Sequence, residues 1–118
     1  VITLYGIKNC DTVKKARQWL SDHNLEYQFH DFRTDGLSAN DVTQWTAELG
    51  WETLLNKRST TWKQLDDEVK ENMNEETAQR EILAQPTLIK RPLLDTGDTR
   101  HVGFKADTYA TIFSEEIS

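Results

Sequence analysis

The first 32 residues constrain the fold more than any other part of the chain. They read as an apolar β-rich run, then a helical repeat, then a second β-rich run. "VITLY" is short and rich in β-formers, and Gly6 punctuates it. In "DTVKKARQWLSDHN", Val13, Ala16 and Leu20 recur at helical spacing, with Lys14, Lys15 and Gln18 between them. Asp11 or Thr12 can cap the start of this helix, and Asn24 fits its stop. Residues 26–32 alternate Tyr27, Phe29 and Asp31 against Gln28, His30 and Phe32, as a strand does. Two strands joined through a helix of this length are expected to be parallel, with a right-handed crossover.

From residue 37 to residue 84 only helical patterns occur. Ser38 fits a cap, Val42, Trp45 and Leu49 share one face, and Gly50 fits a stop. "WETLLN" suits a short helical turn. "TTWKQLDDEVKENM" sets Trp62, Leu65 and Val69 at i, i+3 and i+7. A further helix is expected from an Asn74 cap, with Ala78, Ile82 and Leu83 inward and Pro86 beyond its end. These helices lie between strands, so residues 37–84 are expected to form an inserted helical subdomain.

The strand signal returns after Pro86, in Leu88, Ile89, Leu93 and Leu94, and "DTGD" reads as a tight turn into "TRHVGF". A closing helix should carry Ala106, Tyr109, Ile112 and Phe113 on one face. The expectation is an α/β fold: a four-stranded mixed sheet with helices packed on it, in the thioredoxin arrangement. At 118 residues this is a single domain, 1–118, long enough to bury a core without staples.

Composition narrows the function. The net charge of −6 disfavours direct nucleic-acid binding, which needs a basic field. No segment approaches the length of a membrane span, no signal-peptide pattern opens the chain, and one cysteine cannot form an internal disulfide. A cytoplasmic monomer is therefore expected. His23, His30 and His101 show no ligand spacing, so no metal is expected, and none has the spacing of a general base for cysteine hydrolase chemistry.

That leaves the single cysteine, Cys10. Free cysteine usually only packs. This one falls between a strand and a helix, where sites of open α/β sheets lie. The free N–H groups and dipole of a helix start stabilise a thiolate. Lys8 and Lys14 flank it, and its neighbours, Asn9 among them, are polar. Residues 8–17 carry four basic residues against one acid, so the thiol sits in a positive stretch of a negative protein. A reactive thiolate could attack a disulfide, a glutathione-capped thiol or an oxyanion. Position 13, where the partner of a Cys-x-x-Cys pair would stand, is Val13, so an outside thiol, commonly glutathione, must resolve the intermediate. In "IKRPLL", Pro92 sits where a cis proline faces the cysteine loop in the thioredoxin arrangement. Arg91 beside it offers a planar fork for a carboxylate or oxyanion.

"YGIKNCDTVKKA", "ILAQPTLIKRPLL" and "VGFKADTY" together resemble the glutaredoxin-coupled arsenate reductase (ArsC) family, with its Spx and YffB branches, most of all the YffB branch. The resemblance covers the whole chain. It implies a thioredoxin-like sheet with a helical insert and Cys10 as nucleophile; from its place beside the cysteine, Thr12 is expected to donate a hydrogen bond to the sulfur. It also implies three arginines around the cysteine. Arg91 matches the second. The first falls in "LLNKRST", at Arg58 or Lys57, and at the third this chain has Lys105. With Val13 at the resolving position, the expected activity is a glutathione-dependent monothiol oxidoreductase, with glutathione as co-substrate and glutaredoxin as a partner. Arsenate reduction is the alternative enzyme. A Spx-like regulator docking on RNA polymerase is the alternative from another class, and Val13 counts against a Spx redox switch.

Overall fold

The computed structural model describes residues 2–117; Val1, the first residue of the expected opening strand, lies outside them. The elements are β1 (Thr3–Gly6), α1 (Asp11–Asp22), β2 (Gln28–Asp31), α2 (Phe32–Asp35), α3 (Ala39–Leu49), α4 (Trp51–Leu54), α5 (Thr60–Lys63), α6 (Asp67–Glu71) and α7 (Glu75–Ala84). A 3₁₀ turn (Pro86–Leu88), β3 (Leu93–Asp95), β4 (Arg100–Val102), α8 (Ala106–Ile112) and α9 (Ser114–Ile117) complete them.

The chain divides into two compact units. One is Phe32–Lys90; the other joins residues up to Asp31 with those from Arg91 onward. The second holds the sheet, in the order β2-β1-β3-β4. β1 and β2 are parallel, with Leu4 against Phe29. β3 is antiparallel to β1, with Leu4 against Leu94, and β4 is antiparallel to β3. This is the mixed α/β, thioredoxin-like sheet expected from the sequence.

The helical repeat of α1 buries Val13, Ala16 and Leu20 completely. Leu4, Ala16, Leu20, Leu94, Tyr109 and Phe113 form the core of this unit, with Trp19 and Phe104 packed against it. Tyr109 meets Trp19 and Phe104 edge-on, a preferred aromatic geometry. At Gly6 the helix lies so close that a Cβ would stand 2.7 Å from Val13 Cγ2. Asn24 ends the helix by taking a left-handed conformation, φ 59°.

The helical unit has its own core, which includes Val42, Trp45, Leu54, Leu55, Ala78, Ile82, Leu88 and Ile89. Ser38 caps α3 by accepting from the Asp41 N–H, and Asn74 caps α7 by accepting from the Thr77 N–H.

Local details depart from the expectations. The helix around Trp62, Leu65 and Val69 is two short pieces, because Asp66 adopts an extended N-cap conformation (ψ 142°) and restarts it. Leu83 points outward, 39% exposed, since Ala78 and Ile82 hold the inward i, i+4 face. The segment after Pro86 is a 3₁₀ turn, and Ile89 makes only an isolated bridge to Leu55. The sheet resumes at Leu93, just past Pro92, which has no N–H to give a ladder. The closing helix breaks at Phe113 into α8 and α9. No helix among the described residues is long and apolar enough to cross a membrane.

Candidate active site

The strand directions collect the site at one end of the sheet. β1 leaves it at Gly6, beside the last residue of β2, Asp31. β3 enters at Leu93, opposite Tyr5, and β4 leaves at Val102, opposite Leu93. The turn from Ile7 to Cys10, the carboxylate of Asp31, the pair Arg91–Pro92 and the segment Gly103–Lys105 therefore all emerge at that end. The Gly103 N–H donates to the Pro92 carbonyl at 2.9 Å and ties the last two together.

Cys10 is a free, half-buried thiol. It is itself the N-cap residue of α1, with extended backbone (φ −99°, ψ 122°) and no side-chain cap hydrogen bond. Asp11 and Thr12, expected as caps, stand one and two residues inside the helix. The turn that precedes Cys10 is closed by its N–H donating to the Ile7 carbonyl at 3.4 Å. Lys8 and Asn9 form its exposed corners. With no side chain capping the first turn of α1, its amide donors and the positive end of its dipole lie next to the cysteine.

Asp31, a residue the sequence reading passed over, anchors this turn. It is 4% exposed, and its Oδ2 accepts the Lys8 backbone N–H at 3.2 Å. The signal was present: an acid on the same strand face as Tyr27 and Phe29 is out of place unless it has a polar partner.

The Arg91–Pro92 peptide is cis, with Pro92 buried and Arg91 half-buried. Thr12 is half-buried in the first turn of α1, and Lys14 is exposed one turn along, its N–H bonded to the Cys10 carbonyl at 3.0 Å. Lys105 is the exposed N-cap residue of α8. Arg58 belongs to the helical unit, where its N–H donates to Asn56 Oδ1 at 3.1 Å. Its neighbour Lys57 lies 5.6 Å from the centroid of the Trp62 ring. Seven of the expected site residues near the sheet thus come from one compact unit with Cys10, and Arg58 from the other. No group of three or more His, Cys, Asp or Glu among the described residues is placed to hold a metal ion.

Known proteins share this architecture. A protein of Haemophilus influenzae described only as uncharacterized is 49% identical over 114 residues, 97% of this chain and all of that one. The global transcriptional regulator Spx of Streptococcus mutans is 29% identical, over 91% of this chain and 79% of that one. Among solved structures, the YffB protein superposes with a TM-score of 0.90 at 47% identity, covering 94% of this chain and 97% of that one. An arsenate reductase (ArsC) related protein from Brucella melitensis does so at 0.78 and 44%, covering 95% and 93%. The ArsC family model matches residues 5–112, from Tyr5 in β1 across the cysteine loop, the helical unit and the cis proline to the end of α8. The chain belongs to the ArsC family, on its YffB-like branch.

Proposed function

We propose that the protein is a monothiol oxidoreductase that uses Cys10 as nucleophile and glutathione as co-substrate. The observation that carries this reading is Cys10 as the uncapped N-cap residue of α1, at the sheet end from which Arg91 and cis Pro92 also emerge. The Cys10 thiolate attacks the glutathione sulfur of a mixed disulfide. A bond forms between the two sulfurs, and the substrate leaves as its thiolate. A second glutathione thiolate then attacks the glutathione sulfur held on Cys10, forming glutathione disulfide and releasing the Cys10 thiolate. Glutaredoxin can take that second step in place of glutathione. Val13, at the position of a resolving cysteine, is fully buried against Gly6, so the second thiol must come from outside. Arg91 supplies a planar donor fork for a glutathione carboxylate, and Lys8, Lys14 and Lys105 supply positive charge.

Two further readings rest on named relatives. Arsenate reduction would use the same thiol on an oxyanion. The similarity to the Spx regulators supports a docking role on RNA polymerase, for which Cys10 chemistry is dispensable. A glutathione titration followed by amide shifts, with turnover on a glutathione mixed disulfide, tests the three. Cys10→Ser should abolish turnover and keep the fold, because serine is not ionised near neutral pH. Arg91→Ala should weaken glutathione binding by about 1.5–3 kcal/mol if the contact is desolvated. A wild-type protein without turnover on disulfide or arsenate, whose RNA polymerase binding ignores Cys10→Ser, would replace the enzyme with the regulator.

A further inference from the structure

Arg17 is held in place by neutral groups. Its Nε donates to Tyr27 Oη at 3.2 Å, and its guanidinium carbon lies 4.3 Å from the centroid of the Phe29 ring. Tyr27 and Phe29 lie just before and within β2, an edge strand of the sheet. The two terminal nitrogens of the guanidinium have no acceptor, and neither Arg17 nor Lys14 pairs with a carboxylate among the described residues. The two contacts orient the plane of the guanidinium and leave its fork unused among the described residues.

The fork opens on a groove of about 330 Å³ lined by Lys14, Arg17, Gln18, Ser21 and Tyr27. The four helical residues fall at i, i+3, i+4 and i+7, one face of α1 spanning about 10 Å. The lining carries two cations, three neutral hydrogen-bonding groups and no carboxylate. Asp22, next in sequence to the lining residue Ser21, accepts from the Gln18 amide at its Oδ1 at 2.7 Å. Tyr27 accepts from Arg17, so its own O–H remains to donate, and the Ser21 hydroxyl has no partner among the described residues. On a chain of net charge −6, this is a shallow, open cluster of donors with no acid in its lining.

We propose that this groove is a binding site for the oxyanion group of a small ligand, a carboxylate or a phosphate. Arg17 makes a bidentate contact and Lys14 supplies a second charge. The volume is at the lower end of small-molecule sites, which fits a compact ligand. Binding here does not require the Cys10 thiol.

The test is an amide and arginine Nε–H shift titration of the full chain with inorganic phosphate, with succinate, and with sodium chloride at matched ionic strength. Phosphate or succinate should give saturable shifts at Gln18, Ser21, Tyr27 and the Arg17 Nε–H. Saturation by one alone names the ligand class; saturation by both means that the fork accepts either. Arg17→Gln should weaken binding about tenfold or more, and Arg17→Lys should not restore it, since lysine keeps the charge without the fork. Lys14→Gln, at an exposed position, should weaken it less and covers the case in which Arg17→Gln does not fold. Cys10→Ser should bind as wild type. Shifts that follow the chloride control, unchanged affinity in both charge variants, or shifts confined to residues 7–10 would overturn the assignment.

Discussion

The backbone N–H of Lys8 donates to the carboxylate of Asp31, joining an exposed turn to a side chain 4% exposed at the end of the neighbouring strand. The bond fixes the second residue of the turn that ends at Cys10. Asp31→Ala should cost about 1–3 kcal/mol in urea unfolding, because it removes the acceptor of a partly buried backbone N–H. It should also raise the hydrogen-exchange rate of the Lys8 amide more than its neighbours'. Asp31→Asn retains an acceptor oxygen and should recover most of that protection. Equal Lys8 exchange in wild type and Asp31→Ala would mean that the turn holds without the carboxylate.

Lys105 is the exposed N-cap residue of α8, at the position where the resemblance to arsenate reductases implies an arginine. A lysine gives charge without two parallel donors. Arsenate turnover is therefore expected to be weaker than disulfide turnover, and Lys105→Arg should raise the former more than the latter. Steady-state rates on both substrates check it. An equal change in both would detach this position from oxyanion geometry.

Tyr109 is buried, its hydroxyl lacks a hydrogen-bond partner among the described residues, and burial pushes its phenol well above the usual range. Tyr109→Phe removes an unsatisfied polar atom, so stability at neutral pH should stay level or rise by about 1 kcal/mol. The linkage has a definite sign. Below the unfolded phenol value of about 10, both states are neutral and the group is silent. As pH rises above it, the unfolded state loses its proton while the folded state keeps it, and stability falls. Melting temperature against pH should thus decline less steeply above pH 10 in Tyr109→Phe than in wild type.

Gly6→Ala would set a methyl 2.7 Å from Val13 Cγ2. The cost should be about 1–3 kcal/mol, by overpacking. Val13→Ala is destabilising alone, by leaving a cavity, yet the double variant should lose less than the sum of the singles. Strict additivity in denaturant unfolding would place the strain elsewhere.

How far the sequence could be read depended on the range of the forces involved. The β-α-β opening was legible because Val13, Ala16 and Leu20 repeat at helical spacing and all three are buried. Ser38, Gly50 and Asn74 were legible as helix boundaries because capping is local chemistry. The division of residues 60–71 into two helices was not, since either conformation of Asp66 suits its immediate neighbours. Ile89 read as a strand residue because an apolar run cannot say which unit will bury it. At the site, Cys10 and Pro92 stood out by residue type and neighbourhood. Asp31 and Arg17 did not, because their partners, the Lys8 amide and the Tyr27 and Phe29 side chains, lie 23, 10 and 12 positions away.

The strand order has a consequence for how the protein comes into being. β1 lies between β2, reached through one helix, and β3, whose Asp95 pairs with Thr3 across 92 positions of chain. The first pairing is a near contact. The second must wait for the long loop to close, an event that slows folding and comes late as a chain grows from the ribosome. Until then Cys10 belongs to a two-stranded fragment without the cis proline that emerges at the same end of the sheet. A chain ending at Lys90 should accordingly lack native sheet dispersion in its amide spectrum, and its thiol should react as an unprotected one. Cys10 is made 82 positions ahead of the cis proline that comes to stand at its end of the sheet.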